Sequence, residues 1–366
     1  MTERKIKVLV AEDSTVARML LVHLLESDAQ IHVVGAVADG QAALDFIGKH
    51  RPDVVVMDIH MPRLDGFEAT RRIMETQPVP IVICSATAAV KDVITTFRAM
   101  EAGAVACIAK PLNRGHDDFE AMAAHLLETV KLMSEVRVVR RTARSRPALA
   151  CAAHPAPAVS WQPEQPEIKL IGIGASTGGP PVLQAILAGL PKDFSAPLLV
   201  VQHIARGFLA GMAEWLNQTS GLKIHLASYG TLPLPGHVYL APDDFHMGIG
   251  VGGAIILTRQ APENHLRPSI SFLFRSLAAV YGPNALGVLL TGMGKDGAEE
   301  LKAMKDKGAI TIAQDRESSV VHGMPGAAIA VGGATHVLPA NQIAAALVAL
   351  VGQNNRISRS GAHANN

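Results

Sequence analysis

GIGASTGGPPVLQAIL (172–187) decides how the second half of this chain folds. It continues the apolar run KLIGIGAS (169–176) through a glycine-rich turn into PPVLQAILAGL, whose apolar residues recur at helical spacing. Strand, tight turn and helix in that order form the unit of a parallel α/β layer. The frame Gly174-x-Ser176-x-Gly178 puts a hydroxyl on the turn between small neighbours, the spacing of a nucleophile elbow. Amides at the start of the following helix can then stabilise a developing oxyanion. A rival reading takes Gly172-x-Gly174-x-x-x-Gly178 as a dinucleotide-binding turn with a stretched last interval. It requires an acid at the end of the next strand, to hold ribose hydroxyls. That strand, PLLVVQHI (197–204), ends in Gln202-His203, and Asp193 lies before it. The dinucleotide reading loses its key residue, and the hydrolase reading gains one.

His203 belongs at the end of the strand beside the one carrying Ser176, where an imidazole can take the serine proton and return it to a leaving group. LGVLLTGMGKDG (286–297) ends another strand in a glycine-rich loop that presents Asp296, a carboxylate able to fix the imidazole tautomer. The bland reading of Asp296 is a cap for the helix GAEELKAMKDKG. The order serine, histidine, aspartate differs from the serine, acid, histidine of common α/β-hydrolases. HVYLAP (237–242) and AITIAQD (309–315) add strands, MGIGVGGAIILTR (247–259) a hairpin, and LAGMAEWLNQ, SISFLFRSLAAVY and NQIAAALVALVG helices. His246, His265 and His322 have no metal-ligand spacing and read as surface or cleft residues.

The first 130 residues alternate in the same way. IKVLVAED (6–13), HVVGAVAD (32–39), DVVVMD (53–58), VPIVICSA (79–86) and ACIAK (106–110) read as strands, with four amphipathic helical segments between them. Strands apolar throughout imply a parallel sheet covered on both faces, here a five-stranded doubly wound domain. Glu12 and Asp13 end the first strand and Asp58 the third, so parallel pairing crowds three carboxylates together. A hard divalent cation such as Mg²⁺ compensates them. Ser85 and Lys110 end the fourth and fifth strands, and a hydroxyl and an ammonium at that rim suit a phosphoryl group.

VLVAEDS, VVVMDIHMPRLDGFE, ICSA and AKP resemble the response-regulator receiver domain over about residues 5–125. The resemblance implies that Asp58 accepts a phosphoryl group from a phosphohistidine. Glu12, Asp13, Asp58 and the His60 carbonyl would hold Mg²⁺. Ser85 would be the switch hydroxyl, and Lys110 would pair with the phosphate ahead of a cis peptide to Pro111. Residues 168–350 are similar to the chemotaxis protein-glutamate methylesterases, the CheB family, through IGIGASTGGP, VVQHI, YLAPDDFHM, RPSISFLFRSLA, LLTGMGKDGA and ESSVVHGMPGAA. That resemblance implies a second doubly wound, mostly parallel α/β domain, with Ser176 attacking a glutamyl methyl ester of a chemoreceptor. His203 would be base and then acid, and Asp296 its orienting partner. Amides near Thr177 and Met293 would be the oxyanion donors, with the Thr177 hydroxyl positioning His203. Glutamine deamidation uses the same acyl chemistry. The phosphodonor would be a chemotaxis histidine kinase. A phosphorylation-dependent adaptor without catalysis, or an esterase or amidase with another substrate, are the competing classes.

Thirty-three basic residues against 32 acidic ones give no electrostatic case for nucleic acid or an anionic membrane. Cys84, Cys107 and Cys151 are too few and scattered for disulfides or a CxxC metal site, and the first two read as buried, reduced packing residues. No signal peptide and no run of about 18 apolar residues is present, so the expected location is the cytoplasm, with nothing inserted in a membrane. The expected organisation is a receiver over 1–130, a linker rich in Arg, Ala and Pro over 131–166, a catalytic domain over 167–352 and a disordered tail over 353–366. Two complete sites on one chain further imply that the unphosphorylated receiver covers the Ser176 cleft and that phosphorylation opens it.

Overall fold

The computed structural model describes residues 4–85, 90–111, 119–136, 138, 140 and 167–361. The chain forms two compact units, one before and one after residue 148. In the first, β1 (Ile6–Ala11), α1 (Thr15–Glu26), β2 (Ile31–Val37), α2 (Gly40–Lys49), β3 (Val54–Met57), α3 (Gly66–Thr76), β4 (Ile81–Ser85), α4 (Val90–Ala102), β5 (Ala106–Ala109) and α5 (Phe119–Ser134) alternate. All pairings are parallel in the order β2-β1-β3-β4-β5. β3 and β4 are buried along their full length, as apolar strands under helices on both faces must be. The chain leaves β1 toward β2 on one side, and β3 lies on the other. Ligands collect at such a reversal, outside the carboxyl ends of the strands.

The second unit contains β6 (Leu170–Ala175), α6 (Gly179–Ala188), β7 (Leu198–Gln202), α7 (Leu209–Ser220), β8 (Lys223–Leu226), β9 (His237–Leu240), β10 (His246–Ile249), β11 (Ile255–Thr258), α8 (Ile270–Val280), β12 (Ala285–Leu289), α9 (Ala298–Asp306), β13 (Ile310–Gln314), α10 (Met324–Ala330), β14 (His336–Leu338) and α11 (Ala340–Gly361). Seven strands pair in parallel in the order β14-β13-β12-β6-β7-β9-β8, and β10 and β11 form the expected antiparallel hairpin. The helices fall into two packed sets, α6 with α7 and α11, and α8 with α9 and α10. Here the reversal lies between β6 and β12. Leu273, Phe274 and Leu277 of α8 join Leu170, Leu289 and Leu301 in one buried cluster.

Glycine makes that packing possible. A Cβ at Gly172 would overlap Leu277 Cδ1, and one at Gly174 would overlap Ile270 Cγ2. The glycines that suggested a dinucleotide turn therefore admit α8 against β6.

Several boundaries differ from the sequence reading. α5 runs to Ser134, past the expected domain end at 130, because no Gly or Pro stops it. α11 passes 352 and reaches Gly361. Residues 137, 139 and 141–166 of the linker, with Cys151, lie outside the described residues, as do 362–366. β8, β14 and α10 were not anticipated. The Lys110–Pro111 peptide is trans, the lower-energy X–Pro form, and the one cis peptide among the described residues is Arg267–Pro268. His246 is fully buried rather than at the surface or in a cleft. Its Nε2 lies 3.1 Å from the Ala261 carbonyl, while Nδ1 accepts from the Ser269 N–H at 3.2 Å. Cys84 is buried and its thiol is pushed up to about 12 by desolvation; Cys107 is only partly covered by residue area.

Candidate active site

Ser176 follows β6 directly, on the turn into α6. Its carbonyl accepts from the Gly179 N–H at 2.8 Å, and its N–H donates to the Thr291 carbonyl at 3.0 Å. Gly178 closes the turn at φ +77°, and a Cβ there would lie 2.5 Å from Val320 Cβ. Only glycine satisfies both conditions without strain. Gly292, on the loop after β12, lies so close that a Cβ on it would come within 2.6 Å of Ser176 Cβ.

His203 follows β7, the neighbour of β6, and its N–H donates to the Ala175 carbonyl at 2.9 Å. Asp296 lies beyond β12, on the other side of β6. His203 Nε2 and Asp296 Oδ2 are 3.1 Å apart, close enough for an ion pair but not aligned as a hydrogen bond. Pairing of Nε2 with the carboxylate makes Nδ1 the ring's acceptor. Ser176 Oγ forms no hydrogen bond with either ring nitrogen, a looseness common in unliganded sites. The Thr177 hydroxyl forms none with His203 either.

Asp296 is not the cap of α9, whose first turn is preceded by Gly297 in the left-handed region. It serves α8 instead. Oδ1 accepts from Ser269 Oγ at 2.9 Å and Ser271 N–H at 3.2 Å, and Oδ2 accepts from Ile270 N–H at 2.7 Å. Burial alone would raise its pKa, but the facing His203 ring and the bonds from Ser271 and Ile270 outweigh that and hold it at about 2. A buried, fixed and permanently ionised carboxylate is well suited to orient an imidazole.

The N–H groups of Thr177 and Met293 have no acceptor among the described residues, as oxyanion donors require before substrate binds. Supporting residues were not anticipated. Gln314 Oε1 accepts from the Thr291 N–H at 2.8 Å, and Thr291 Oγ1 reaches the Thr177 carbonyl at 3.0 Å. Gln202 is a further member. Glutamines ending apolar strands were their only signal in the sequence. His265 is exposed and His322 half-buried, and His322 pairs in an isolated bridge with Gly292, the neighbour of Ser176.

In the first unit Glu12, Asp13 and Asp58 place one carboxylate oxygen each within 4.8 Å of one another. Lys110 Nζ lies 2.6 Å from Glu12 and 3.1 Å from Asp58. Burial, reinforced by Asp58 and only partly offset by Lys110, holds Glu12 above its ordinary carboxylate value. Burial would lower the Lys110 pKa, but the two carboxylates outweigh it and raise it. One ammonium against three carboxylates leaves a deficit of two positive charges, and hard oxygen donors at this spacing fit Mg²⁺. Ser85 Oγ is buried and has no partner among the described residues, as a hydroxyl awaiting a phosphoryl oxygen would. Among the described residues this is the one group of three acidic, His or Cys side chains suited to an ion.

A family model for the CheB methylesterase matches residues 171–347, and one for the response regulator receiver domain matches 8–122. The protein-glutamate methylesterase/protein-glutamine glutaminase of Nitrosospira multiformis is 54% identical over 348 residues, covering 95% of this chain and 98% of its own. A Geobacter metallireducens protein of the same description, numbered 4, is 51% identical over 351 residues, covering 94% and 99%. The Thermotoga maritima CheB methylesterase catalytic domain, a solved structure, is 41% identical and covers 51% of this chain and 100% of its own, with a TM-score of 0.49.

Proposed function

The chain belongs to the CheB methylesterase family, with a response-regulator receiver ahead of the esterase domain, and from that membership we propose that it demethylates glutamyl methyl esters of chemoreceptors in the cytoplasm under phosphorylation control. Such a protein is a hydrolase of chemotactic adaptation. The observation that supports the reading is that Ser176, His203 and Asp296 follow three adjacent parallel strands at the reversal of strand order, with His203 facing Asp296.

Ser176 Oγ attacks the ester carbonyl carbon and passes its proton to His203 Nδ1. Asp296 stabilises the resulting imidazolium, and the Thr177 and Met293 N–H groups receive the oxyanion. Collapse breaks the acyl–methoxy bond, and methanol leaves with the proton from His203. Water then attacks the acyl-serine with the same imidazole as base, releasing glutamate and restoring Ser176. With a glutamine side chain the leaving group is ammonia, so deamidation uses the same residues.

In the receiver, Asp58 accepts the phosphoryl group from a histidine kinase. Glu12, Asp13 and Asp58 would hold Mg²⁺, which when bound offsets the charge of the incoming phosphoryl group. Ser85 and Lys110 then bind its oxygens. The unphosphorylated receiver restrains the esterase, and phosphorylation relieves the restraint.

Mass spectrometry of receptor glutamates, after incubation with the native chain or with Ser176→Ala, tests the substrate and the nucleophile together. Loss of methyl groups with the native chain alone is expected. Methylation unchanged by both would remove the proposed substrate, and equal loss with both would remove the nucleophile.

A further inference from the structure

Gln202, the last residue of β7, is 5% exposed and stands between the nucleophile and the base. Its Nε2 donates one N–H to the Ser176 carbonyl at 2.9 Å and the other to the His203 carbonyl at 2.8 Å. The orientation of the amide is fixed by chemistry, since two carbonyl oxygens can be met only by its nitrogen. The Ser176 carbonyl has a second donor in the Gly179 N–H, whereas Gln202 is the one donor to the His203 carbonyl among the described residues. Gln202 Oε1 is buried without a partner and lies over Gly179, where a Cβ would overlap it. A buried acceptor left unpaired destabilises the fold, so the amide is held here at some expense to stability.

We propose that Gln202 is a positioning residue for the hydrolysis, one side-chain amide that fixes the backbone of Ser176 relative to that of His203. The proposal rests on Ser176 and His203 acting as nucleophile and base. Neither residue's side chain is bonded to the other in the resting site, so their alignment depends on the backbones that carry them. The His203 N–H is tied to the Ala175 carbonyl at the end of the β6–β7 ladder and the Ser176 N–H to the Thr291 carbonyl on the β12 side, and Gln202 joins the two carbonyls. The amide touches no substrate and moves no proton. It sets the approach of Oγ to the ring nitrogen, and errors of about 1 Å in such an approach cost on the order of 100-fold in rate.

The test compares the full chain with Gln202→Met, Gly179→Ala and Thr311→Val, each assayed at a temperature where circular dichroism shows it folded. Met keeps the volume and loses both N–H donors. Gly179→Ala keeps the amide but displaces it, which provides a second reading should Gln202→Met not fold. Thr311→Val deletes the bonds of a buried hydroxyl in the same domain, from Thr311 Oγ1 on β13 to the Gly333 carbonyl at 2.7 Å and to Thr335 ahead of β14, and serves as the stability control. For the first two variants kcat on a glutamyl methyl ester should fall about 10- to 100-fold with KM within about twofold. Phosphonylation of Ser176 by a fluorophosphonate, which needs no glutamyl recognition, should slow in parallel. Thr311→Val should lower the melting temperature and leave kcat within about twofold. A Gln202→Met enzyme with kcat within about threefold of native, or a kcat loss matched by Thr311→Val at equal loss of Tm, would overturn the positioning role. Full activity in Ser176→Ala would instead overturn the underlying assignment, whatever Gln202 does.

Discussion

Asp296 performs two tasks with one carboxylate. It faces His203 and it accepts from Ser269, Ile270 and Ser271 at the start of α8. Asp296→Asn removes the charge opposite the imidazole and is expected to lower kcat by about 10³-fold or more, with KM little changed, in steady-state assays of ester hydrolysis. The pH dependence of folding follows from its depressed pKa. The folded value of about 2 lies below the ordinary aspartate value of 3.8, so the ionised form stabilises the fold above about pH 3.8, and that contribution fades as pH falls toward 2. The gap in melting temperature between native protein and Asp296→Asn should therefore be narrower at pH 3 than at pH 5. A gap independent of pH would show that the charge contributes nothing. The sequence exposed this residue's presence in the site but not its duty to α8, because a hydrogen bond between positions 27 apart leaves no local pattern. Gln202 and Gln314 were hidden for the same reason. His246 was misread because a polar residue ending a loop looks exposed until both ring nitrogens are seen to be satisfied within the fold.

Strands and helices were legible where a run of β-branched residues or a 3.6-residue period was long and bounded by turn residues. β1, β3, β6, β7 and β12 satisfied that condition, and they lead to the three carboxylates of the first site and to Ser176, His203 and Asp296 of the second. β14 has three residues, too short for a period, β8 reads Lys223-Ile224-His225-Leu226 with one buried residue, and α10 opens with Met324-Pro325-Gly326, which reads as a loop until the helix is seen to start there. Less visible still was the dependence of the site on close contact between α8 and β6. Gly174 has no room for a Cβ beside Ile270, the same residue whose N–H binds Asp296. Gly174→Ala should push the start of α8 away from the sheet and loosen the Asp296 anchor. Overpacking of this kind costs about 1–3 kcal/mol, a fall of several degrees in Tm for a domain of this size. Calorimetry should show that fall, and kcat should drop with it. A Gly174→Ala protein with native Tm and native kcat would mean that α8 can shift without consequence for Asp296.

At the scale of the whole chain, two successive α/β alternations separated by an Arg-, Ala- and Pro-rich stretch gave away the domain order from sequence alone. Both sites lie at the carboxyl ends of strands flanking a reversal of sheet order, so topology concentrates their chemistry before any side chain is considered. The two sites differ in what they require. Glu12, Asp13 and Asp58 are spaced so that they could hold an ion, while Ser176, His203 and Asp296 offer a hydroxyl, an imidazole and one carboxylate already held by α8. Mg²⁺ should therefore raise the melting temperature of the receiver transition in proportion to ln(1 + [Mg²⁺]/Kd), and Asp13→Asn, which removes the exposed member of the set, should reduce that shift. A small phosphodonor with Mg²⁺ should increase ester hydrolysis by the full chain, and Asp58→Asn should abolish the increase but keep the basal rate. Chelation with EDTA should do the same, because it removes the ion that phosphoryl transfer requires without touching Ser176. A chelator that suppressed the basal rate as strongly as the stimulated one would break this division of labour, and stimulation that persisted in Asp58→Asn would detach the signal from the acidic cluster.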